Sequence, residues 1–153
     1  MTDYCLRLKQ TGASVNFHFV KQLPILPPSA YEPSDIRFVV NRVARLTRNH
    51  DLINACWLTD QPTYAFGTAE ERLQIRAELD AFYALKSGLS RDDLAFILDP
   101  QEAEGPDYPS VTFPGLRTKE MKLYGEFRTR RLVLEAYDRL TEKGVEGFDG
   151  EPA

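Results

Sequence analysis

Tyr124-Gly125-Glu126-Phe127-Arg128-Thr129-Arg130-Arg131-Leu132-Val133-Leu134-Glu135-Ala136-Tyr137-Asp138-Arg139-Leu140 is the stretch whose reading decides the fold. In its second half Val133, Ala136, Tyr137 and Leu140 recur at helical spacing and form one apolar stripe. Its first half sets Arg128, Arg130 and Arg131 beside Phe127. One element therefore offers a face to bury and a dense guanidinium cluster. Such a cluster reads in two ways. It is the solvated end of a core helix, or it reaches phosphates or carboxylates, which the planar guanidinium fork suits equally. Gly125 sits inside this helical region, which opens at Thr118, and marks a bend, because a helix-interior glycine costs about 1 kcal/mol against alanine.

Working outward toward the N-terminus, three more helices are expected. Thr68-Ala69-Glu70-Glu71 is a capping box opening a long helix with Ile75, Leu79, Phe82 and Tyr83 as its buried stripe. Gly88 is placed to end that helix in a left-handed turn. Ser90-Arg91-Asp92-Asp93 caps a shorter helix that buries Leu94, Ile97 and Leu98 and stops at Pro100. This tight pair has the outline of a helix-turn-helix. Its second helix begins Arg91-Asp92-Asp93, however, and that acidity would repel phosphate. Earlier still, Ser34 caps a helix with Asp35 in its first turn. There Ile36, Val39, Val40, Val43 and Leu46 make the apolar face, and Arg37, Arg45 and Arg48 share the opposite side.

The ends and connections differ in character. Tyr4 to Lys9 and Ser14 to Gln22 alternate loosely around a turn at Gln10 to Ala13, a β-hairpin pattern. Leu23-Pro24-Ile25-Leu26-Pro27-Pro28 follows as a stiff extended strap, with Ile25 and Leu26 anchoring it to the core. Residues 50–67 are irregular and carry Trp57, Tyr64 and Phe66. Gln101 to Gly115 is an acidic loop pinned by Tyr108 and Phe113. The fold class is therefore mainly α: a bundle of about four helices with an N-terminal hairpin and a proline-rich strap. Residues 1–28 form the hairpin and strap, 29–143 the helical module, and 144–153 a disordered acidic tail.

The 153 residues are enough for one domain with a real core. The formal net charge of −4 does not advertise nucleic-acid binding by the molecule as a whole. The sign is nonetheless uneven: Arg117, Lys119, Lys122 and the three arginines lie between an acidic middle and an acidic tail. Cys5 and Cys56 are far apart, which argues against a thiolate zinc site or a redox pair and for a reducing, cytoplasmic setting. No apolar run approaches membrane-spanning length. No glycine-rich phosphate loop or nucleophile elbow is present, and the histidines have no ligand partners at metal spacing. Glu70-Glu71 and Asp92-Asp93 sit in first helical turns, where the dipole explains them.

Two segments carry a resemblance. One runs from Asp3-Tyr4 through Leu6-Arg7-Leu8-Lys9, Gly12 and Asn16-Phe17 to Lys21-Gln22-Leu23-Pro24-Ile25-Leu26-Pro27-Pro28. The other is Glu120 through Tyr124-Gly125-Glu126-Phe127-Arg128-Thr129-Arg130-Arg131 to Leu134. With Ile97-Leu98-Asp99-Pro100, they resemble the C-terminal part of large adenine-specific DNA methyltransferases of restriction–modification and phage-defence systems, over roughly residues 3 to 140. The chain departs from that family in lacking the Phe-x-Gly-x-Gly cofactor loop and the Asn/Asp-Pro-Pro-Tyr/Phe tetrapeptide. Leu26-Pro27-Pro28-Ser29 is no substitute: a leucine cannot accept a hydrogen bond from the adenine amino group, and Ser29 cannot stack on the base.

The resemblance thus implies a detached, non-catalytic accessory module. It would hold no cofactor itself, S-adenosylmethionine belonging to a catalytic domain elsewhere. Arg128, Arg130, Arg131, Lys119 and Lys122 would make weak contacts to the DNA backbone. The alternative is a docking module, in which the hairpin completes a sheet on a catalytic methyltransferase partner. The arginines then bind that partner's carboxylates or satisfy internal acids such as Glu126 and Glu135.

Overall fold

The computed structural model describes residues 17–46 and 68–148, together with Cys5 and Arg7. The described helices are α1 (Phe17–Val20, a single turn), α2 (Pro33–Leu46), α3 (Ala69–Lys86), α4 (Arg91–Leu98), α5 (Pro100–Glu104), α6 (Pro114–Tyr124) and α7 (Arg128–Phe148, interrupted at Gly144). A 3-10 turn spans Pro28–Ala30. The chain is mainly helical, and no strand occurs among the described residues.

The expected hairpin is therefore corrected. Lys21 N–H donates to Phe17 O at 3.1 Å, closing the single turn of α1. Gln22 Nε2 lies 2.7 Å from His18 Nε2, pairing residues four apart. Cys5 and Arg7 are helical too. Two or three alternating apolar residues cannot separate a period of two from one helical turn, and a lone hairpin has little to stabilise it. Sheet completion on a partner loses its strand with this correction. The turn at residues 10–13 and the aromatic loop with Trp57 lie outside the described residues. Residues 24–27 are neither helix nor strand: Pro27 is extended, Ile25 N–H donates to Leu23 O at 2.9 Å around Pro24, and Ile25, 71% exposed, does not anchor the strap.

The core lies where α2, α3 and α7 meet, with α4 closing one side of α7. Val133, Ala136, Tyr137 and Leu140 are all buried, as the stripe predicts. Tyr137 also donates its hydroxyl to Leu89 O at 2.8 Å, satisfying the one polar atom on that face. Phe38 and Phe82 stack at 5.1 Å between ring centroids at the centre. Both capping boxes form: Glu71 N donates to Thr68 Oγ1 at 3.1 Å, and Asp93 N to Ser90 Oγ at 3.1 Å. Gly88 takes a φ of 72°, the left-handed value expected after α3.

Three elements depart from expectation. First, α2 is rotated. It buries Asp35, Phe38 and Arg42, while Ile36 and Val43 are 47% and 40% exposed. Polar partners cause this: Asp35 receives Lys86 Nζ at 2.5 Å, and Arg42 Nε donates to Glu78 Oε2 at 2.7 Å. Second, Gly125 does not bend one helix; its φ of 73° ends α6, and α7 begins afresh at Arg128. Pro114 at the first turn starts α6, ahead of the expected Thr118. Pro100 likewise opens the short α5 rather than merely stopping α4. Third, the tail expected from Gly144 stays packed as far as Phe148. That residue is only 4% exposed and meets Phe38 edge-on at 5.7 Å. The Arg139 guanidinium lies 4.3 Å from its ring centroid and that of Arg42 5.3 Å, a cation–π pair on one aromatic.

Candidate functional site

The arginine cluster sits at the start of α7, where the helix dipole is unfavourable to cations. Carboxylates from four places offset it. Glu70 in the first turn of α3 pairs with Arg128 Nη2. Arg130 Nη1 donates to Glu102 Oε1 of α5 at 2.8 Å. Arg131 is shared: its Nε reaches Glu126 Oε2 at 3.1 Å, and its Nη1 reaches Glu135 Oε1 at 3.0 Å. The Arg128 guanidinium also lies 5.1 Å from the Tyr124 ring centroid. Arg128 and Arg131 have their pKa raised further, first by the hydrogen bonds they donate to Glu70 and Glu126 respectively. The three arginines thus tie α7 to α3, to α5 and to the α6–α7 connection.

A fifth carboxylate completes this end. Glu120 of α6 is buried and accepts from Thr129 N at 2.7 Å and Thr129 Oγ1 at 2.6 Å. It supplies α7 with the cap that its own preceding residue, Phe127, cannot offer. Nearby, Arg117 Nε donates to Oδ2 of the fully buried Asp99 at 2.7 Å, while Asp99 Oδ1 has no hydrogen-bond partner. Arg130 Nε is likewise buried and unpartnered.

The five residues singled out from the sequence therefore separate into two groups. Arg128, Arg130 and Arg131 are engaged by this chain's own acids, as the internal-acid alternative foresaw for Glu126 and Glu135. Lys119 and Lys122, on α6, are exposed and meet no carboxylate within ion-pair distance among the described residues. Beside them Leu116, Met121, Leu123 and Tyr124 are 41%, 42%, 60% and 53% exposed. Sequence reading missed this surface, although Leu116 and Leu123 lie seven apart, a spacing that by itself invites burial.

A half-open cleft of about 340 Å³ is lined by Arg7, Phe96, Pro100, Tyr108, Ser110 and Thr112. Phe96 and Tyr108 meet edge-on at 5.6 Å, so the acidic loop is pinned where Tyr108 was expected to hold it. No group of His, Cys, Asp and Glu that could hold a metal occurs among the described residues, and no described helix is long and apolar enough to cross a membrane.

Comparison with known proteins finds no matching family, no similar curated protein and no similar solved structure.

Proposed function

We propose that this chain is a non-catalytic helical accessory module that works by docking onto a protein partner. The resemblance makes that partner the catalytic part of an adenine-specific DNA methyltransferase or restriction–modification enzyme. The observation carrying the reading is that Arg128, Arg130 and Arg131 already satisfy Glu70, Glu102, Glu126 and Glu135. Three guanidiniums among four carboxylates leave no positive field for a phosphate backbone. Large apolar side chains on α6 meanwhile face solvent.

A second reading, direct contact to DNA backbone, keeps Lys119 and Lys122 as its support, because these members of the predicted set have no ion-pair partner among the described residues. Two lysines supply a weak and salt-sensitive contact. Titration of fluorescent duplex DNA at low and high salt, beside co-purification with a methyltransferase chain carrying both missing motifs, separates the readings. Docking predicts a stable complex with that chain and no saturable DNA shift in isolation. An Arg130→Ala/Arg131→Ala double variant then matches the parent toward DNA. Saturable binding that this double variant abolishes would return the arginines to DNA and overturn the docking reading.

A further inference from the structure

We infer that the outer face of α6, formed by Leu116, Lys119 and Leu123 with Lys122 at its rim, is the docking surface, and that its occupant is an acidic amphipathic helix of the partner. The inference rests on the docking reading above. Its starting point is that α6 is built inside out. Its inner edge is charged: Arg117 holds the buried Asp99, and the buried Glu120 caps α7. Beside that edge Leu116 and Leu123 are 41% and 60% exposed. At 3.6 residues per turn Leu116, Lys119 and Leu123 fall on one strip, and Lys122 adjoins it. The helix is also held firmly, with Pro114 setting its start and the left-handed Gly125 its end. A firmly held helix that leaves two leucines in solvent beside two lysines is arranged to meet a second surface.

The chemistry of the occupant follows from charge and symmetry. Lys86, Arg91, Arg117, Arg128, Arg130 and Arg131 each have a carboxylate partner within this chain, whereas Lys119 and Lys122 have none among the described residues. Lysines flanking a leucine strip complement a helix with leucines on one stripe and Asp or Glu beside it, the arrangement that sets partner choice between packed helices. A second copy fits less well, since a two-fold contact through this face sets lysines near lysines. Nucleic acid fits less well too, because phosphates cover no leucine and the chain is net acidic.

The test uses the full chain and three fluorescent probes. One is a helical peptide with a leucine stripe flanked by glutamates, the second has the same stripe flanked by lysines, and the third is a DNA duplex. The glutamate-flanked peptide should bind and the lysine-flanked one should not. Leu123→Ala should weaken binding about tenfold, mainly through faster dissociation. Lys119→Ala/Lys122→Ala should slow association and flatten its salt dependence. Lys119→Glu/Lys122→Glu should reverse the preference to the lysine-flanked peptide, a change that a folding defect cannot produce. Failure of the glutamate-flanked peptide to bind overturns the inference. Binding unaffected by all three variants overturns it while leaving docking through another face. Saturable duplex binding lost in the charge-reversed variant overturns both. Sedimentation showing self-association that Leu123→Ala abolishes assigns the face to a second copy and overturns the stated occupant.

Discussion

At the scale of single residues, the strongest commitments in this molecule are buried charges. Arg42 and Glu78 are 5% and 8% exposed, and the Arg42 guanidinium also lies 3.3 Å from the Phe38 ring centroid. Removing Glu78 takes from the buried Arg42 guanidinium the carboxylate that holds its Nε. Glu78→Ala should therefore lower unfolding free energy by about 3–5 kcal/mol in urea denaturation. Arg91→Ala, which breaks a half-exposed pair with Asp138, should cost under about 1 kcal/mol. Near-equal losses would mean that Arg42 finds another partner or reaches solvent. Asp93 gives a pH signature. The hydrogen bonds from the Ser90 hydroxyl and the Ser90 N–H hold its carboxyl below the ordinary aspartate value. A depressed folded value stabilises the fold above the unfolded value, near pH 4, and that contribution disappears as pH falls through the folded one. The gap between wild type and Ser90→Ala should thus narrow on acidification to the part owed to the pH-independent bond from Asp93 N–H to Ser90 Oγ, read from denaturation curves across pH. A gap as wide in strong acid as at neutral pH would remove the Asp93 carboxylate from the cap.

At the scale of elements, two junctions organise the C-terminal half. Gly125 carries a φ of 73°, which an L side chain adopts at a cost of about 1–2 kcal/mol. Nothing lies within 4 Å of where a Cβ would sit, so Gly125→Ala should show the backbone cost alone, without a clash. A loss above about 3 kcal/mol would point to a rearranged α6–α7 connection. The other junction is the fold-back after Gly144 that returns Phe148 to Phe38, Arg42 and Arg139. Phe148→Ala should destabilise by about 3 kcal/mol, the lower part of the range for a buried aromatic. Loss of under about 0.5 kcal/mol would mark the segment as the frayed tail that composition suggests.

At the scale of the whole molecule, the bundle is stapled at one end by charge and in its middle by aromatic packing. Leu123 contributes to neither, so Leu123→Asp should leave the urea midpoint unchanged within about 0.5 kcal/mol, as surface substitutions do. A clear drop would place Leu123 in the core and remove α6 as an outward face.

Local physics was legible without coordinates wherever a short rule decides the outcome. The capping boxes at Thr68 and Ser90, the left-handed turn at Gly88 and the stripe from Val133 to Leu140 depend on neighbours a few residues apart, and the amino-acid order determined them. What only the tertiary structure decided depends on partners distant in the chain. Arg42 turned α2 toward Glu78, thirty-six residues away, against the reading of its aliphatic face. Glu70 and Glu102 took Arg128 and Arg130 from solvent, because a carboxylate brought alongside by folding outcompetes water for a guanidinium at a helix start. With Asp99 claiming Arg117 and Thr129 claiming Glu120, α6 was left with leucines and lysines in solvent, which no periodicity along its own eleven residues could reveal.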